Sequence, residues 1–201
     1  VSVSGTTAEY IFTYLLLSNL PYEGGTEEEV RAIESEWRAG CEIFRNNGNF
    51  AAYQEATQTL RANEYILEKR GAWPNRLQYE LNQMRCKDGE CPNTDNELCD
   101  YVWIEGFDDM LASLNIDVLA LFGEKDLNIN WRKTRDLYVS TIGTNTEATL
   151  KIESFADADH ALNVSETGSL KEMAASPERK KTARYYEAQL AWLQEHVLDR
   201  D

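Results

Sequence analysis

The sequence predicts an α/β fold: a few parallel strands with flanking helices, joined to an all-helical insertion. Three observations carry this. Residues 116–123, IDVLALFG, form a continuous apolar, β-branched run of the kind that is buried on both faces of a parallel sheet. From residue 115 onward the pattern alternates strand, helix, strand, helix, which implies β-α-β connections. Residues 26 to 114 instead carry helical periodicity without a strand signal. The expected organisation is a strand and helix over 1–25, a helical subdomain over 26–114 and an α/β portion over 115–201.

Residues 1–4 are strand-like, and TTAEYIFTYLLLSN follows as a helix with Thr6 or Thr7 as N-cap, ended by Pro21 and the Gly24, Gly25 pair. Thr26 and Glu29 stand at capping-box spacing ahead of a helix with acidic residues in its first turn, where the helix dipole favours them. Val30, Ile33, Trp37, Cys41 and Phe44 give that helix an apolar face, and the Asn-Asn-Gly at 46–48 breaks it. Residues 50–70 read as one further helix with Phe50, Tyr53, Ala56 and Leu60 on one face, turned back against the first. More helical pattern is expected over 74–85 and 97–114, around a cysteine-rich loop. In the last third, WRKTRDLYVSTIG reads as a helix and ATLKIESFA as a strand. Residues 176–198 read as a closing helix with Ser176 as N-cap, Pro177 at its first position and Tyr186, Leu190, Leu193 and Val197 as its buried stripe.

The 35 acidic against 20 basic residues give a net charge of −15, which argues against nucleic acid or anionic lipid as a partner, because both select a positive surface. The longest apolar stretch, residues 10–20, is shorter than the roughly 20 residues that cross a bilayer, so no membrane span is expected. The chain begins with Val1 inside a strand-like segment, and a preceding portion is expected. The cysteines Cys41, Cys86, Cys91 and Cys99 crowd the middle third. Their even number suggests bridging, with Cys86–Cys91 and Cys41–Cys99 as one of three pairings; reduced structural thiols and a metal are the alternatives. Bridged cysteines imply a periplasmic or secreted protein.

Two residues stand where chemistry is expected, since ligands of parallel sheets bind beyond the carboxyl ends of the strands. His160 follows the strand ending near Phe155, and Asp126 follows the strand ending at Gly123. An imidazole there can move a proton when an acid fixes its tautomer and balances the charge it gains. Solvated loop residues are the bland alternative. Asp157 and Asp159 beside His160 raise a metal set, but with one histidine and no second ligand motif; no cofactor is implied. His196, on the flank of the closing helix, reads as structural, and Asn163-Val-Ser fits a glycosylation acceptor, a frequent chance match.

VLALFGEKDLNIN, followed after a helix by TLKIESFADADHALN and AQLAWLQEHV, resembles the carboxyl-terminal end of the α/β-hydrolase fold over residues 116–201. The resemblance implies that Asp126 and His160 are the acid and histidine of a catalytic triad. It also implies that the helical block is a cap like those of bacterial serine esterases and peptidase-like hydrolases, selecting a small ester or amide substrate through aromatic residues such as Trp37, Tyr53 or Trp103. The departure is large. The family's Gly-x-Ser-x-Gly nucleophile turn is nowhere in the chain, and Ser2 and Ser4 do not supply it. The chain then reads as the carboxyl-terminal part of a serine hydrolase, inactive alone, or alternatively as a non-catalytic binding module on the same scaffold. A sheet deprived of neighbouring strands is further expected to self-associate through its exposed edge.

Overall fold

A computed structural model of the protein describes residues 2–3, 11–70, 76–85 and 106–198. The chain divides into two compact units, one of residues 1–15 with 103–201 and the other of residues 16–102. It is a mixed α/β structure with a parallel sheet.

The first unit is built on β2 (Asp117–Gly123) and β3 (Thr149–Phe155), paired in parallel from Asp117↔Thr149 to Gly123↔Phe155. A two-residue strand, β1 (Ser2–Val3), pairs in parallel with the other edge of β2. Successive side chains of a strand point to opposite faces, which explains the unbroken apolar run of β2. Leu119 and Leu121 pack on one face with Phe155, Ala158, Leu162, Ala188 and Trp192. Val118, Ala120 and Phe122 pack on the other with Trp131, Tyr138 and Ile142. The second face is covered by α8 (Trp131–Ser140), which connects β2 to β3 and is N-capped by the Asn130 side chain accepting from the Lys133 amide. The first face is covered by α10 (Tyr185–Leu193).

The closing helix differs from its expectation in extent and in facing. Residues 177–184 are not helical. Lys181 instead bridges to Asn163, the Val164 amide donates to Lys180 O at 2.8 Å, and the Thr182 amide donates to Leu162 O at 2.9 Å. These bonds draw the segment out as a strap, which overrides its helical propensity. Ser176 and Pro177 therefore do not start a helix; Ser176 ends a short one, α9 (Leu170–Ala175), capped by Ser169. The buried residues of α10 are Ala188 and Trp192, whereas Tyr186, Leu190 and Leu193 are exposed. The stripe is displaced because the strap delays the helix to Tyr185, and because the small Ala188 and the large Trp192 together suit a close approach to the sheet. The Val197 side chain lies outside the described residues.

The other unit is helical: it begins within α1 (Ile11–Asn19), which leads into a 3₁₀ turn and then α2 (Glu27–Arg45). Thr26 caps α2, its hydroxyl accepting from the Glu29 amide at 3.1 Å, and Ile33, Trp37, Cys41 and Phe44 form its buried face. Residues 50–70 are three helices and not one: α3 (Phe50–Ala56), α4 (Gln58–Ala62) and α5 (Glu64–Arg70). The breaks have local causes. The Thr57 hydroxyl donates back to Tyr53 O at 2.7 Å, and the freed amides of Thr59 and Leu60 donate to the Glu36 carboxylate. Asn63 then caps the next turn by accepting from the Ile66 amide at 3.0 Å. The helix α6 (Arg76–Arg85) adds Tyr79, whose ring lies 5.1 Å from Tyr53 and 5.6 Å from Phe44. The proposed caps Thr6 and Thr7, the cysteines Cys86, Cys91 and Cys99, and Trp103 lie outside the described residues; α7 (Phe107–Ala112) belongs to the strand-bearing unit.

Candidate functional site

Parallel pairing brings the carboxyl ends of β2 and β3 side by side, and a glycine lets the loops beyond them touch. A Cβ on Gly123 would stand 2.2 Å from Asp159 O and 2.4 Å from Ala158 O, closer than any side-chain carbon sits. With no side chain there, the Lys125 amide donates to Ala158 O at 2.9 Å and the Glu124 amide to Phe155 O at 3.0 Å. The Lys125 ammonium extends the seam by donating to Ser165 O at 2.8 Å. Gly168 closes it: its φ of +77° and its approach to Lys125 O both require glycine.

Asp126 and His160, 34 positions apart, meet across this seam, with Nδ1 of the imidazole 2.9 Å from Oδ2 of the carboxylate. Oδ1 of Asp126 accepts from the amides of Asn128 at 2.8 Å and Ile129 at 3.1 Å, so the carboxylate is held from both oxygens. Its side chain is fully buried, while the His160 side chain is 34% exposed. An ionised carboxylate only accepts hydrogen bonds, so a neutral imidazole paired with one through Nδ1 carries its proton there and has Nε2 as its basic nitrogen.

Asp159 supports the same loop from within. It is fully buried, its Oδ1 accepts from the amides of Ala161 at 2.9 Å and Asn163 at 3.1 Å, and its Oδ2 faces the Arg179 guanidinium. Leu162 adopts a left-handed φ of 57° and turns its buried side chain into the core just after His160. On the far side of the loop the Glu172 carboxylate gathers the amides of Glu166, Thr167 and Gly168 and the Thr167 hydroxyl. Burial raises the Glu172 carboxyl, but hydrogen bonds from Thr167, the Glu166 and Thr167 amides and Ser165 outweigh it and hold the group at about 2.

The structure brings Asp126 and His160 together, and each follows a strand end as the sequence suggests. The sequence suggests Asp159 only as part of a metal set, and no group of described residues is arranged to hold a metal ion. Arg179 left no signal, since its role depends on the strap. The Ser169-x-x-Glu172 spacing is a capping-box signal that would have found α9 and its anchoring carboxylate. Trp37 and Tyr53, expected to face a substrate, are 4% and 2% exposed and serve as core of the helical unit. His196 stacks on Trp192 at 5.0 Å and lies 3.7 Å from Asp117, away from the strand ends that carry the seam. No helix among the described residues is long and apolar enough to cross a membrane. No family model, curated protein or solved structure matches the chain.

Proposed function

We propose that this chain is the carboxyl-terminal part of an α/β-hydrolase that cleaves an ester or amide bond of a small or medium-sized substrate. In this reading the nucleophile is a serine from a Gly-x-Ser-x-Gly turn outside this sequence, and the chain alone is inactive. As the serine oxygen attacks the carbonyl carbon, its proton passes to Nε2 of His160. Asp126 holds the ring in place and balances the imidazolium. The same nitrogen then returns the proton to the departing alcohol or amine, and water repeats the sequence to release the acid. In this reading the helical unit corresponds to the family's cap insertion.

The observation that supports this reading is the 2.9 Å carboxylate–imidazole contact between loops that follow adjacent parallel strands, one partner fully buried and the other partly exposed. The test is an extended chain that includes the reading frame upstream of Val1, assayed on a short-chain ester. His160→Ala should reduce turnover to background, and Asp126→Asn should reduce it on the order of 10³–10⁴-fold. Turnover unchanged in His160→Ala, or an upstream frame without a nucleophile turn, removes the proposal.

A further inference from the structure

The strap that holds the His160 loop also borders an open surface depression of about 560 Å³ at the start of α10, within the volume range of small-molecule sites, which run from about 300 to 1,000 Å³. Its wall carries Arg179, Lys180, Lys181 and Arg184. Four of the 20 basic residues thus fall within six positions, in a chain of net charge −15. Their charges are not equally available. Arg179 is matched by Asp159. The Lys181 ammonium donates to the neutral Ala161 carbonyl at 2.5 Å and stands 5.2 Å from the Tyr185 ring centre, so its charge is not cancelled. Lys180 and Arg184 make no ion pair among the described residues.

Against these three cations the wall presents one carboxylate, Glu187, and Asp157 beside the strap is engaged by the Thr182 hydroxyl. A positive surplus remains around an open depression in which Lys180 and Arg184 are exposed. Next to it stands an aromatic surface: Tyr185 and Tyr186 pack edge to face at 4.8 Å, and Tyr186 is 69% exposed. Arg184 itself takes a left-handed φ of 66°, a conformation that L-residues avoid, and gives α10 no side-chain cap.

We infer that this depression binds a small organic oxyanion, with its carboxylate or phosphate head between Lys180 and Arg184 and a flat apolar body on Tyr186. The binding is independent of the hydrolytic reading, since it uses neither Asp126 nor His160. The test is calorimetric titration of the 201-residue chain at low salt with phenyl phosphate, benzoate, inorganic phosphate and, as neutral control, phenol. Saturable binding of at least one of the two aromatic anions is expected, and none of phenol. The tighter of the two identifies the head group. The Lys180→Gln/Arg184→Gln variant, altered only at exposed positions and checked for native circular dichroism, should bind at least tenfold more weakly. Tyr186→Ala should weaken the aromatic anion and spare inorganic phosphate. No saturable binding of either aromatic anion, or equal affinity in the double variant, overturns the inference.

Discussion

At Gly123 the absence of a side chain decides whether two loops can meet. A methyl group there would collide with the Ala158 and Asp159 carbonyls, backbone atoms that cannot swing aside. Gly123→Ala should lower stability by about 1–3 kcal/mol and separate His160 from Asp126, read by urea denaturation and by loss of a downfield Nδ1 proton signal. An intact signal at unchanged stability would show that the seam has slack. Asp159 makes a second residue-level claim. Breaking a buried ion pair strands a charge, whereas removing both partners does not. Arg179→Met should therefore cost about 3 kcal/mol, and Arg179→Met with Asp159→Asn should cost less than Arg179→Met alone. A double variant at least as unstable as the single one contradicts the pairing. Asp126 and His160 could be picked out from their places after strand ends; Arg179 could not, because nothing near it in sequence points to Asp159.

Among the elements, the helix expected over residues 50–70 is divided because side chains offer its backbone other partners. The apolar face of residues 50–70 is real, with Phe50, Tyr53 and Leu60 buried, but Thr57, Glu36 and Asn63 compete for backbone groups and divide the segment. The loop 165–168 with α9 shows the same competition put to use, since Glu172 replaces a backbone partner for three amides. Its carboxyl sits at about 2 in the fold against an ordinary 4.5. A folded value below the unfolded one contributes stability above pH 4.5 that is lost as pH falls toward about 2. The acid limb of a stability–pH profile should therefore steepen through that window and flatten in Glu172→Gln. Parallel acid limbs in the two proteins would refute the role given to this carboxylate.

For the whole molecule, a parallel sheet with two full strands and one two-residue strand among the described residues leads to the expectation that the 23.0 kDa chain associates with itself through strand edges. Sedimentation equilibrium over a range of concentrations should give a mass above that of one chain, and a single-chain mass throughout would end this expectation. The sequence by itself determined what short-range physics controls. The apolar run over residues 118–123 favours a strand buried between two layers, Thr26 and Glu29 favour a helix start, and an acidic residue and a histidine after strand ends arrive at the same rim. Only the tertiary structure decided which long-range partner each polar group takes. The strap over 177–184 is held out of the helix because Asp159, Leu162 and Val164 bind it. The face that α10 buries then follows from where that strap ends. Local propensities amount to tenths of a kcal/mol per residue, and a few hydrogen bonds and one buried ion pair outweigh them.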